Sequence, residues 1–277
     1  MFRPGITLLL SLFLAGGLSA EQAPHPEAIT TVAGSASIVI PAAGNVQGGN
    51  GTHFRSDLTL VNHAASTARV AVTWIERDVA TTGAPVFLEI PPRTVSVYNG
   101  FVGDVLGRSG LGSLLIQTVD GSGQLMPSGV IDAFARIWTF QPGTEGTVSQ
   151  PMYAVRESDL QSNASRPTYI LGMKQTDRFR ANLGIVNLHR SVAQSYTVNA
   201  VGTLGSTSFT VTLAPLSMKQ VALPDGALGD FYLVITPQSH SLLNPFGDST
   251  FTAYGSTVDN ITGDAWSSAS TFGFGNP

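Results

Sequence analysis

The chain contains no cysteine. Disulfide staples are therefore excluded, and stability has to come from burial. Charge is scarce as well: Asp, Glu, Lys and Arg make up 12% of 277 residues, and the formal net charge is −4. There is no run of Lys or Arg, so neither nucleic acid nor an anionic membrane surface is an expected partner. Beyond residue 20 no stretch is long and apolar enough to cross a bilayer, so membrane insertion is not expected. Sustained helical periodicity is missing too. What remains is a chain rich in Gly, Ser and Thr, a composition that suits an all-β protein with many turns.

Residues 1–20 read as a signal peptide. Arg3 supplies a positive n-region, Ile6 to Leu14 an apolar h-region, and Gly16 to Ala20 the small residues of a cleavage site. The expected location is secreted or periplasmic. Residues 21–35 carry two prolines and no periodic pattern, and read as a flexible leader.

The chain repeats itself. Phe54-Arg55-Ser56-Asp57-Leu58-Thr59-Leu60-Val61-Asn62 returns as Phe179-Arg180-Ala181-Asn182-Leu183-Gly184-Ile185-Val186-Asn187. Later segments keep the same order. Pro91-Pro92 is echoed by Pro215, Gly112 to Ile116 by Gly229 to Ile235, and Asp132 to Ala135 by Thr252 to Gly255. Short alternating segments such as Ala68 to Ile75 have the period of half-buried strands. An internal repeat governs architecture before any motif is weighed. The expected fold is all-β: two tandem Ig-like β-sandwich domains from an internal duplication, at 36–143 and 168–277. Residues 144–167 are expected to be a linker with a mildly helical stretch around Ala154 to Leu160. A short helical turn is expected within Phe101 to Leu106.

These motifs resemble a poorly characterised group of secreted bacterial proteins made of tandem sandwich units. Their units carry a Phe-Arg-x-Asp/Asn-x-x-x-x-Asn strand, a Pro-containing corner and a late Ser-x-Val-Asp-Asn-x-Thr-Gly-Asp segment. The last stands here as Ser256 to Asp264, and the first copy lacks its carboxylates over Arg136 to Thr144. The resemblance spans residues 37–270. It implies the fold and an exported location, and no reaction.

Features shared by both copies are expected to serve the fold. Arg55 and Arg180 read as structural arginines that bond loop carbonyls or pair with a carboxylate such as Asp57. The alternative is a guanidinium that grips a ligand. Asn62 and Asn187 end a strand, where Asn bonds the backbone of a turn. Asp259 and Asp264, with Asn260 and Thr262, offer oxygens to Ca²⁺. The spacing departs from an EF-hand, however, and a hairpin turn is the expected reading; no cofactor is required. Phe246-Gly247-Asp248-Ser249 is similar to an esterase nucleophile block but lacks its α/β context. The histidines (His25, His53, His63, His189, His240) show no metal-ligand spacing. A hydrolase is the least expected function.

Aromatics offer a further lead, because exposed Trp and Tyr stack on sugar rings. Trp138, Trp266 and Tyr98 are the candidate ligand-binding residues, Tyr153 and Tyr169 are further candidate surface platforms, and Trp74 is expected in the core. Loops found in one copy only are where a partner would be read: 44–53, 76–83, 120–128 and 237–248. The expected function is a non-catalytic exported module with a structural or protein-interaction role. The alternative is a carbohydrate-binding module. The partner is then a protein or a cell-surface polysaccharide.

Overall fold

The computed structural model describes residues 36–141, 143–156, 160, 167–224, 228–238 and 251–272. Residues 1–35, expected to be a signal peptide and leader, lie outside the described residues, as do the Gly247-Asp248-Ser249 block and His240.

The described chain is all-β. The first half runs β1 (Ser37–Gln47), β2 (His53–Asn62), β3 (Ala68–Glu76), β4 (Val86–Ile90), β5 (Val95–Tyr98), β6 (Gly110–Val119), β7 (Ile131–Phe140), β8 (Thr147–Tyr153) and β9 (Val155–Arg156). The second runs β10 (Thr168–Gln175), β11 (Phe179–Asn187), β12 (Gln194–Gly202), β13 (Ser206–Leu213), β14 (Ser217–Ala222), β15 (Gly229–Pro237), β16 (Phe251–Asp259) and β17 (Ala265–Phe272). The expected helical turn is a π-helical turn at Phe101–Val105.

The strand orders match. The path β4-β3-β6-β1 has its counterpart in β13-β12-β15-β10, and β5-β2-β7-β8 in β14-β11-β16-β17. All of these pairings are antiparallel. The first strand of each half breaks register at the same place, between Ile40 and Ala43 and between Ile170 and Met173. The strand that joins the two layers differs. In the first half β1 leaves β6 to pair with β2 through Asn45–Gln47. In the second, β17 pairs with β16 up to Ala269 and then with β10 from Ser270.

Period-2 alternation explains the cores. Leu58 and Leu60 point inward from β2, as do Leu183 and Ile185 from β11. They meet Val70, Val72 and Trp74 in the first half and Tyr196 and Val198 in the second. Trp74 is 7% exposed, a core residue as its alternation with Val70 and Val72 implies. The first core also takes in Val186, Met218 and Tyr254 from the second half. The two halves thus share apolar packing within one compact unit spanning Ala33–Pro277.

Residues 144–167 are not a plain linker. They hold β8, which pairs with β7 from Phe140↔Thr147 to Phe134↔Tyr153, and β9, which pairs with β1. Where a helical stretch was expected, Val155–Arg156 is strand. Pro151 masks β8 in the sequence. The strand is held by a long partner ladder and by Met152, which is buried, and neither is a local signal.

Candidate functional site

The corners come first, because they set the spacing of everything else. Asn62 Nδ2 donates to the carbonyls of Ser66, Ile90 and Pro91 at 2.9–3.0 Å, and its Oδ1 accepts the Ala64 N–H. Asn187 repeats this: Nδ2 donates to Val192 and Ala214, and Oδ1 accepts from His189 N–H. Both amides are buried, and each ties the turn after its strand, β2–β3 or β11–β12, to the proline corner of its half. At that corner Arg93 and Leu216 occupy equivalent places, both left-handed, with φ of 50° and 40°.

The outer face of the β14-β11-β16-β17 sheet carries Arg180, Asn182, Gly184 and Val186 on β11. Val186 and its neighbours Met218 and Tyr254 pack into the first core. The Tyr254 ring lies across Gly184, where an added Cβ would overlap it, and its hydroxyl donates to Gln220 Oε1 at 2.7 Å. Burial pushes the Tyr254 phenol well above its ordinary range, against a smaller opposing pull from Arg77.

Further along this face the two halves diverge and leave a cleft of about 620 Å³. Its second-half wall includes Arg180, Asn182, Gln220, Ser256 and Val258. Its first-half wall is the open end of the sandwich, with Phe54, Ile137, Val148 and Met152. Clefts of this size hold small ligands. The end is open because β8 carries Gln150 opposite Ile137, at the place where β17 carries Trp266 opposite Thr257. In the second half Trp266 meets Phe179 edge-on at 5.8 Å and donates from Nε1 to the Gly172 carbonyl. Two of the one-copy loops reach the cleft: Gly48, Gly49 and Thr52 from one, Arg77 from the other. The second also docks on the neighbouring half, where Asp78 N–H donates to the Met218 carbonyl at 2.8 Å and Thr81 N–H to Leu216 at 3.0 Å.

The repeated arginines have different settings. Arg55 is exposed and, among the described residues, has no hydrogen-bond or ion-pair partner. The expected pairing with Asp57 does not form, because Asp57 Oδ1 is taken by the Gly100 N–H at 3.0 Å. Arg180 Nη1 donates to Asn260 Oδ1 at 2.6 Å. Asn182, the counterpart of Asp57, has no hydrogen-bond partner among the described residues and lines the cleft.

Asp259 and Asp264 close a hairpin turn. Asp259 Oδ2 accepts from Arg178 Nε and Nη2 at 3.0 and 2.7 Å, and Oδ1 accepts the Ile261 N–H at 2.8 Å. The Arg178 hydrogen bonds, then the Ile261 N–H, hold the Asp259 carboxyl down at about 2. Asp264 Oδ1 accepts the Ala265 N–H. Asp259 is therefore committed to Arg178 and the turn, while Asp264 uses one oxygen on the residue that follows it. Among the described residues no three His, Asp or Glu side chains are gathered for a metal.

No protein-family model matches this chain, and no curated protein matches it.

The three candidate aromatics are not brought together. Tyr98 packs edge-on against buried Phe101 at 5.7 Å. Trp138 sits between Phe140 and the Arg136 guanidinium, and Trp266 covers Phe179 at the other sandwich end. Among the described residues His63 is the one histidine bound to a carboxylate, Asp132 at 2.9 Å, which Arg156 shares at 2.6 Å. Among the described residues no Ser or Thr hydroxyl bonds to His63.

Sequence reasoning marked Tyr153 as a surface platform but did not assemble the surface it belongs to, the outer face of β5-β2-β7-β8. Register places Val97, Thr59, Phe134 and Tyr153 in one row across its four strands. Val97 is 59% exposed and Tyr153 65%, with Val95 at 62% beside them. The equivalent row in the second half, Gln220-Gly184-Tyr254-Ala269, borders the contact with the first half. Alternation along β5 and β8 is the signal that marks it, since Val95, Val97 and Tyr153 lie on the face opposite the core.

Proposed function

We propose that this protein is an exported, non-catalytic module with a structural or protein-interaction role, and that the β5-β2-β7-β8 face is its partner surface. One observation carries the reading. The counterpart face is covered by half a molecule, with Met218 at 0% and Tyr254 at 3% exposure, while Val95, Val97 and Tyr153 are bare. Exposed apolar patches of this kind mark interaction sites. Arg55 and Arg136 flank the row without a carboxylate partner, so the fitting partner has an apolar centre and acidic rim. For catalysis, the cleft offers one carboxylate among the described residues, Asp259, and Arg178 already holds it.

The experiment compares residues 21–277 with a Val97→Glu/Tyr153→Glu variant in pull-downs from the native envelope, with sedimentation to reveal self-association. A partner held by the parent and lost by the folded variant supports the reading. Identical profiles from both proteins sink it.

A second reading, carbohydrate binding, is favoured by the Tyr153 ring, exposed beside Phe134 at 5.6 Å. A glycan screen with Tyr153→Ala as control separates the two.

A further inference from the structure

We propose that the cleft between the halves binds the carboxylate end of a short peptide whose last side chains are apolar. This site is separate from the β5-β2-β7-β8 face and does not depend on it.

The two walls differ in chemistry. Phe54, Ile137, Val148 and Met152 make one wall apolar. The opposite wall is polar and cationic. Arg180 bonds only a neutral amide, Asn260. The Asn182 amide has no partner among the described residues. Gln220 spends its oxygen on Tyr254, and its Nε2 has no hydrogen-bond acceptor among the described residues. The one carboxylate of the lining is neutralised by Arg178, and the Arg77 guanidinium is offset by Asp78 at 3.2 Å. Among the described residues, Arg180 is thus the uncompensated charge of the cleft.

Comparison of the copies sharpens this. The motif has Asp at position 57 and Asn at position 182, two residues after each arginine and on the same strand face. An aspartate at 182 would put a negative charge on the strand face that carries Arg180 and repel an anion, whereas Asn182 brings no charge and adds two donors. A guanidinium with amide donors beside it matches a carboxylate.

The apolar wall selects the rest of the ligand. A sugar ring would need an exposed aromatic face. Of the two aromatics here, Tyr254 is spent covering Gly184, leaving Phe54. Aliphatic walls fit aliphatic side chains, and capture of a terminal carboxylate is a recurring mode of peptide recognition.

The test is calorimetric titration of residues 21–277 with N-acetyl-Ala-Leu-Val as free acid and as C-terminal amide. Arg180→Gln, Asn182→Asp and Arg55→Gln follow. Binding of the acid is expected, weakened about tenfold or more by amidation, Arg180→Gln or Asn182→Asp, and unchanged by Arg55→Gln. The Val97→Glu/Tyr153→Glu variant is expected to bind like the parent, so this proposal and the partner-face reading fail separately. Equal binding of acid and amide would overturn the proposal without requiring any variant to fold. So would no binding at millimolar peptide, or an equal loss from Arg55→Gln. Tighter binding of a uronic-acid disaccharide would overturn the peptide assignment.

Discussion

Gln150 donates from Nε2 to the Trp266 carbonyl at 2.7 Å, and the same two residues are counterparts in the two halves. Gln150 Oε1 also accepts from Ser256 at 3.2 Å. One residue of the first half therefore does two things. Its small polar side chain leaves the sandwich end open, and its amide ties that end to the second half.

Gln150→Ala removes both hydrogen bonds and leaves the Trp266 carbonyl without its partner. The expected cost is about 1–3 kcal/mol, or roughly 2–4 °C of melting temperature for each kcal/mol at this chain size. Thermal unfolding reads it. Gln150→Trp is expected to fill the cleft with the indole that its counterpart already uses, abolishing binding there. Ligand titration of a protein that still melts cooperatively checks this.

Asn62→Ala and Asn187→Ala each strand buried carbonyls at a corner. At about 1–3 kcal/mol for each orphaned group, a loss of about 3 kcal/mol is expected at either site. Asn62→Asp should cost as much as Asn62→Ala, because a carboxylate cannot donate to Ile90 and Pro91. Urea midpoints compare the series. An Asp variant as stable as the parent would show that donation to the corner is not what the residue supplies.

Much of this fold was legible in the sequence. The repeat of Phe54 to Asn62 at Phe179 to Asn187 places two strands in register, and the alignment of Asp132–Ala135 with Thr252–Gly255 is the pairing the ladders show. The turn role of both asparagines follows from their place at strand ends. The cleft was not legible. It depends on which face of one sandwich covers which end of the other, and no local pattern encodes that. Its decisive difference, Gln150 against Trp266, lies on β8, the strand hidden in the expected linker. Arg55 and Asp57 stand two residues apart on one strand face, which made an ion pair one reading of Arg55 beside bonds to loop carbonyls. Asp57 turns instead to the Gly100 N–H.

Val95 and Met218 fill the same place in the two halves, opposite Val61 and Val186. Val95 is 62% exposed and Met218 0%. Val95→Lys is expected to change stability by no more than about 0.5 kcal/mol. Met218→Lys buries an unpaired ammonium in the shared core and should cost more than about 4 kcal/mol. Chemical denaturation of the pair measures the difference. Similar costs at both sites would mean that the two faces are equally covered in solution.

Asp259 supplies an acid-sensitive element. Its folded carboxyl is held at about 2, below the ordinary value of 3.8, chiefly by Arg178 and then by the Ile261 N–H. A depressed carboxyl pKa means that the unfolded chain takes up the proton first. The stabilisation is then complete above the unfolded value and is lost as pH falls through the folded one. The window is therefore about pH 4 to pH 2. Asp259→Asn lacks this titration. The melting temperature of the parent should exceed that of the variant by a constant margin above pH 5, and the margin should close towards pH 2. A margin unchanged across that window would show that Arg178 and the turn do not hold the carboxylate charged in the folded protein.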